Sequence, residues 1–379
     1  MAMATSPSIK AKHTGTSCGI PLRPIVPSTP ERSSSSSCVC HASIGRRVQG
    51  SAWPVQPKPL LAYSAGMARI VIAGDFGGTN LRAALVTETG EILVRHEVST
   101  TPDASPDGAL EGIGDLLMKV RDYGSELPVA ASLAVAGLID GENGRVLASP
   151  NIPAFRNLGL TLPLSERLGI PVLIANDASA AALGEFRFGA GQGTRHLLHA
   201  TLGTGIGGGI VIDGRLYKGT QGLAGELGHI VLDTDGPPCG CGSRGCLEAM
   251  AGGIALGRRA QRLVESGGAP ILAEIASGRS ATAGDLAEAA RRGEVAAIAE
   301  IREGGHIIGI GLGSIINVLN PDVVTLSGGL LGMGDFLLDP LRAGLASLAF
   351  GPAANTPVRI STLGADAGLL GAAAVALAK

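Results

Sequence analysis

Residues 225–248, GELGHIVLDTDGPPCGCGSRGCLE, constrain this chain more than any other stretch. They place His229, Cys239, Cys241 and Cys246 in an H-x9-C-x-C-x4-C spacing, with Glu226 and Glu248 at either end. Three thiols and an imidazole are a complete tetrahedral ligand set for Zn2+. Four protein ligands leave no position for a reacting water, so such a metal is structural rather than catalytic. Gly236, Pro237, Pro238, Gly240, Gly242 and Gly245 suit a knuckle wrapped around a metal better than a helix or strand. A disulfide, or thiols that only pack, is the competing reading. It leaves one of three neighbouring cysteines unpaired and gives His229 no reason to be there.

The length allows two domains at roughly 150 residues each. Charge divides the chain unevenly. Residues 1–66 carry seven basic residues and one acid, which leaves 23 basic and 31 acidic residues, a net −8, for the remainder. An acidic body argues against nucleic-acid binding, which calls for a basic face. No apolar run reaches the ~18 residues of a membrane span; the nearest, around 307–318, is interrupted by Gly and Ser. Residues 1–66 are rich in Ser and Pro, basic and acid-poor, without a sustained apolar period or a secretory h-region. That composition predicts a disordered organellar transit peptide, with delivery to the plastid stroma. The alternative is translation from Met67 and a cytoplasmic protein.

From Ile70 the pattern changes. A short apolar run leads into Gly74-Asp75-Phe76-Gly77-Gly78-Thr79-Asn80, then apolar 81–86 and a strand at 91–98, a hairpin meander with a glycine-rich first turn. Glycine lets the backbone approach a ligand, and consecutive N–H groups hold phosphate oxygens. Asp75 stands where it can hold a metal ion through water. A helix is expected at 106–123, a buried strand at 129–136, a loop at 150–153, a short helix at 162–168 and a strand at 172–175. That strand runs into Asn176-Asp177 and a helix at 178–188. An acid there lies where α/β sheets bind ligands, yet Asp177 taken alone reads as a helix N-cap. A second glycine-rich turn, Gly203-Thr204-Gly205 through Gly209, precedes a strand at 210–212, and a third, Ser327-Gly328-Gly329, follows a strand at 323–326. The second is not a P-loop, because no Gly-Lys-Ser/Thr follows. Helices are expected at 253–265, 283–292, 294–319, 336–349 and 365–378, with a strand at 358–360. Two glycine-turn hairpins suggest related halves facing one phosphate chain.

DFGGTN at 75–80, LGTGIGGG at 202–209, ExGH at 226–229, CxCGxxGCxE at 239–248 and SGG at 327–329 together resemble the ROK family of sugar kinases and repressors, and within it the bacterial-type glucokinases. The resemblance covers Ile70 to the end of the chain. It implies an α/β, two-domain, actin-like and hexokinase-like ATPase of the ribonuclease-H type with a cleft between domains, here 67–185 and 186–379. It implies ATP-dependent phosphorylation of a hexose at the 6-hydroxyl, glucose first, as in glycolysis. Asp177 matches the catalytic base. Asn151, Asn176, Asp177, Glu226, His229 and Glu248 match sugar-contacting positions, with His229 binding zinc through one ring nitrogen and sugar through the other. Asp75, Gly77, Gly78, Thr79, Asn80, Gly203, Thr204 and Gly205 match ATP-binding positions, and Gly328 and Gly329 the adenosine side. The cofactors implied are structural Zn2+ and Mg2+ arriving with ATP, with Asp75 the nearest acid. The assembly implied is a homodimer or higher homo-oligomer. Many family members carry Trp shortly after the Pro-Asn pair; here Phe155 is the aromatic available. Two alternatives stand beside glucose phosphorylation: a kinase for N-acetylmannosamine or another hexose, and a non-catalytic sugar-sensing repressor. The absence of a recognition-helix pattern in 1–66 counts against the second.

Overall fold

The computed structural model describes residues 69–378 apart from 78–79, 101–104, 125, 150–151 and 153–154. The expectations for residues 1–66, Gly78, Thr79 and Asn151 lie outside the described residues.

The apolar run after Arg69 forms β1 (Ile70–Phe76), which pairs antiparallel with β2 (Asn80–Thr87), and β2 with β3 (Ile92–Ser99). Helix α1 (Pro106–Arg121) starts where Ser105 accepts from the Gly108 N–H and Pro106 fills the first turn. It leads to β4 (Ala131–Val135), parallel to β1. A small antiparallel sheet of β5 (Leu138–Asp140), β6 (Arg145–Ala148) and β7 (Leu158–Gly159) follows. Next come α2 (Thr161–Leu168), β8 (Val172–Asn176), parallel to β4, and α3 (Asp177–Phe188).

The second half repeats the plan. Strands β9 (Leu197–Leu202), β10 (Ile206–Ile212) and β11 (Arg215–Leu216) make a meander. Beyond the cysteine stretch lie α4 (Leu247–Ala251), α5 (Gly253–Glu265), α6 (Pro270–Ala276), α7 (Ala283–Arg291) and α8 (Val295–Leu319). Then β12 (Val323–Ser327) runs parallel to β9, α9 (Asp335–Leu348) follows, and β13 (Val358–Ile360) runs parallel to β12. Helix α10 (Ala367–Leu377) comes last. The sheet orders are β3-β2-β1-β4-β8 and β11-β10-β9-β12-β13. Numbered within each sheet, both read third, second, first, fourth, fifth, so the halves share one topology.

Between the sheets, one apolar cluster joins Val71, Ala73 and Ala134 of the first to Leu197, Val211 and Val323 of the second through α3 and α10. Leu369 to Leu377 are all buried, as expected of a helix apolar on every side. Helices α3 and α10 cross at glycines: a Cβ on Gly184 would stand 2.9 Å from the Gly371 Cα, and one on Gly371 2.7 Å from the Ala180 carbonyl carbon. In α8, a Cβ on Gly309 would overlap the Leu341 carbonyl of α9. The long apolar run around 307–318 is therefore a helix buried against α9. Among the described residues no helix is long and apolar enough to cross a membrane.

The structure departs from the expected strands in two places. Gly207 to Gly209 lie inside β10, paired with Thr201, Ala200 and His199, so the second turn is only Gly203 to Gly205. Gly207 and Gly209 face α3, where a Cβ on Gly207 would stand 3.0 Å from the Ala178 Cβ, and Gly208 on the opposite face meets the Leu227 side chain. The β5–β7 sheet was not expected, since strands of two to four residues are too short to show a period.

Candidate active site

Strand β8 delivers Asn176 and Asp177 to the start of α3. Asn176 is the cap: its Oδ1 accepts from the Ser179 N–H at 3.1 Å, and its Nδ2 donates to the Gly137 carbonyl at 3.2 Å. Asp177 is thereby freed from the capping role that the sequence left open to it. Its Oδ1 accepts from the adjacent Ala178 N–H at 2.9 Å, and the residue is exposed. Although solvent reaches it, the surrounding protein displaces most of its water. That desolvation raises its carboxyl pKa; the Ala178 N–H opposes the rise, and the charge of Asp75 adds to it.

Asp75, near the end of β1, is paired with Arg82, whose Nη1 also donates to the Ala365 carbonyl at 2.9 Å. Gly368 of α10 stands against this carboxylate, where a Cβ would overlap it. Asp75 thus reaches any bound cation in competition with Arg82. Beside it, the Gly77 N–H donates to the Asn80 carbonyl at 3.1 Å, which closes the first turn.

The other two turns meet at one place. Gly328 adopts φ 102° and packs so closely on the Leu202 carbonyl that a Cβ would overlap it, so the third turn lies against the end of β9. Gly203, Thr204 and Gly329 line a cavity of about 880 Å³. Its remaining wall includes Arg258 and Gln261 of α5, Thr282, Arg291 of α7, Leu330 and Met333. Sequence reasoning missed these residues. Arg258, Gln261 and Arg291 sit on helices read from their apolar period, and nothing in that period marks which polar face turns to a cavity. Below the third turn, buried His199 contacts Thr325 at 2.9 Å and Ser327 at 3.0 Å, and burial lowers its pKa to about 4.

The cysteine stretch folds as a knuckle. A 3-10 turn at Leu227–His229 is followed by isolated bridges Val231↔Cys246 and Pro238↔Arg244. Gly245, at φ 61°, rests on the Asp233 carbonyl with no room for a side chain. The ligand atoms of His229, Cys239, Cys241 and Cys246 all lie within 4.8 Å of one another. Tetrahedral zinc with Zn–S of about 2.3 Å and Zn–N of about 2.0–2.1 Å requires edges of roughly 3.6–3.8 Å. The Cys239 Sγ to His229 Nδ1 separation is 3.6 Å and the Cys241 to Cys246 Sγ separation is 3.7 Å, so these two edges match and the four donors form a cluster that could hold the metal. The geometry turns Nδ1 of His229 toward the thiols and leaves Nε2 3.9 Å from the Glu226 carboxylate. Glu248 accepts from the Ile206 N–H at 2.9 Å. Phe155 is a core residue, 1% exposed and packed in the first half's core, so it does not supply an exposed pocket wall.

The profile of the ROK family matches residues 71–379. The chain belongs to the ROK family. Among its relatives in that family is a glucokinase of Thermotoga maritima, 37% identical over 307 residues that cover 80% of this chain and 96% of the relative. A xylose repressor of a Caldicellulosiruptor species, described as putative, is 31% identical over 296 residues, 77% of this chain and 74% of the repressor. Among solved structures, a ROK family glucokinase of Streptomyces griseus in complex with glucose and AMPPNP superposes with a TM-score of 0.70 at 36% identity, covering 82% of this chain and all of that one. The architecture of this ROK protein is the actin-like, hexokinase-like ATPase fold with its repeated α/β sheet.

The cap assignment separates two neighbouring residues experimentally. Asn176→Ala is expected to lower stability by about 1 kcal/mol through loss of the cap. Asp177→Asn should act in the opposite direction. The pKa of Asp177 is raised by folding, so the folded state holds a proton that the unfolded chain releases, and stability falls as pH rises above the unfolded value of 3.8. Denaturation midpoints should therefore rise for Asp177→Asn at pH 7, and the gain should shrink as pH approaches 4.

Proposed function

We propose that this protein transfers the γ-phosphoryl group of ATP to the 6-hydroxyl of a hexose, with glucose the first substrate to test. The observation that carries the reading is Asp177: released from capping by Asn176, open to solvent and raised in basicity, at the head of a helix on which the strand after the second glycine turn packs. Its carboxylate takes the hydroxyl proton as the sugar oxygen bonds to the γ-phosphorus. The bond from that phosphorus to the bridging β,γ-oxygen breaks, and ADP leaves. Holding the hydroxyl in line is the larger part of the task, and the raised pKa makes the carboxylate a better acceptor for its proton. Glu226, Nε2 of His229, Glu248 and Asn151 are assigned to the sugar, together with Asn176 so far as its amide, already bonded to Ser179 and Gly137, allows. The turns at 77–80 and 203–205 are assigned to the phosphates, and Gly328, Gly329 and the 880 Å³ cavity to the nucleoside. Mg2+ bound with ATP supplies charge neutralisation on the phosphates, with Asp75 the nearest acid.

With residues 67–379 and Mg-ATP, ADP formation is expected with glucose, and Asp177→Asn should lower turnover by about 10² or more while sugar binding persists. Turnover with amino sugars alone would change the substrate and keep the mechanism. Sugar binding without turnover on any sugar would favour the non-catalytic sugar-sensing alternative.

His229, Cys239, Cys241 and Cys246 are proposed to hold a structural Zn2+ that fixes the loop carrying the sugar-binding residues. One zinc per chain is expected by elemental analysis, and Cys241→Ser should lose metal and glucose binding together. Metal-free protein with normal glucose affinity would refute this role.

The reading extends to organisation. We assign the two sheets to separate domains, 67–185 and 186–379, that close on the substrates, and we place the protein in a homo-oligomer by family resemblance. The basic, Ser-rich composition of residues 1–66 supports delivery to the plastid. A fluorescent protein fused behind residues 1–66 should collect in plastids; a diffuse cytosolic signal would favour a start at Met67.

A further inference from the structure

The knuckle and the second glycine turn are joined more closely than either motif implies. Cys246, the last thiol, is the N-cap residue of α4, and Glu248 is the second residue of that helix. The Glu248 Oε2 accepts from the Ile206 N–H at 2.9 Å. It lies so near Gly205 that a Cβ there would overlap it. From the other side, the 3-10 turn that carries His229 presses Gly228 against the Ile206 carbonyl, again with no room for a Cβ. The chain that continues from α4 adds two more ties: the Gly253 N–H donates to the Gly203 carbonyl at 2.9 Å, and the Ile254 N–H to the Thr204 carbonyl at 3.0 Å. The Gly203 N–H is used within the turn, donating to the Gly205 carbonyl at 2.9 Å.

These ties leave a defined remainder. Among the described residues, none accepts from the N–H of Thr204 or Gly205. Two successive free N–H groups in a held turn are a small anion-binding concavity. Pinning matters because a free turn can rotate those groups away or satisfy them internally, so nucleotide binding would bear the cost of ordering it.

We propose that Glu248 is a positioning residue for the nucleotide: by fixing the Ile206 peptide it holds the Thr204 and Gly205 N–H groups toward the phosphates of ATP, so the metal knuckle organises both substrate sites. One carboxylate oxygen serves the turn, and the other remains for the sugar. This inference rests on the ATP-dependent reading of the site and adds to it a residue whose action on ATP is through the turn.

The test is calorimetric binding of Mg-AMPPNP without sugar, beside glucose binding without nucleotide. Glu248→Ala is expected to weaken Mg-AMPPNP about tenfold, the scale of one lost charge-assisted hydrogen bond. Glu248→Gln keeps an oxygen acceptor for Ile206 and should stay within about threefold of wild type, a rescue that general loosening of the fold does not give. If Glu248→Ala does not fold, Glu248→Asp takes its place: one methylene shorter, it withdraws the carboxylate and should weaken nucleotide binding similarly. Glucose binding lost in Glu248→Ala with nucleotide affinity unchanged would overturn the proposal and leave Glu248 a sugar contact alone. Equal weakening in the Ala and Gln variants would also overturn it. Wild-type protein that does not bind Mg-AMPPNP would fail the ATP reading itself, and the inference with it.

Discussion

The contact on which the rest depends is the crossing of α3 and α10 at Gly184 and Gly371. Two sheets of one topology each need a cover for an inner face, and these helices supply it for both. Small residues at the crossing let the helix backbones approach closely. The approach fixes where the head of α3 lies, and with it Asp177. The same α10 brings Gly368 against the Asp75 carboxylate, so the acid near the first turn and the acid at the head of α3 are set by one piece of packing.

Asp177 is held at the expense of stability. Its carboxylate has lost much of its water, faces the charge of Asp75 and receives one adjacent N–H in return. A residue selected for stability at that position would be neutral. The fold tolerates the cost because capping falls to Asn176, so the helix does not depend on the acid for its start. The knuckle follows a similar division. Structural contacts go to the backbone of 230–246, and the side chains at its margins, Glu226, Nε2 of His229 and Glu248, remain available.

The sequence made legible the features with short-range causes. Gly-rich turns, the Cys and His spacing and the long apolar periods of α1, α5, α8 and α10 each announce themselves within a few residues, and each was found within a few residues of its place. Asp177 was legible as a candidate but ambiguous as a cap, because cap and N1 position differ by one residue and Asn176 is equally suited. What escaped depended on distant partners. The glycines at 207–209 read as turn residues, yet they are strand residues thinned to fit α3 on one face and Leu227 on the other. Phe155 stood in sequence where a pocket aromatic is expected, and only the first half's core shows why it points inward. Arg258, Gln261 and Arg291 gave no signal at all, since a helix period says which face is apolar and nothing about what the polar face meets.

The place of α10 has a consequence for how the molecule comes into being. Strand β1 is the first described element to be made, and the helix that covers it arrives about 300 residues later. Until then the inner face of the first sheet has only α3 of the two helices packed in its cluster, although every strand of that sheet has long been synthesised. Nascent chains of this protein therefore present to chaperones a nearly finished half that lacks its lid, and the period of exposure is set by the time needed to translate the other half.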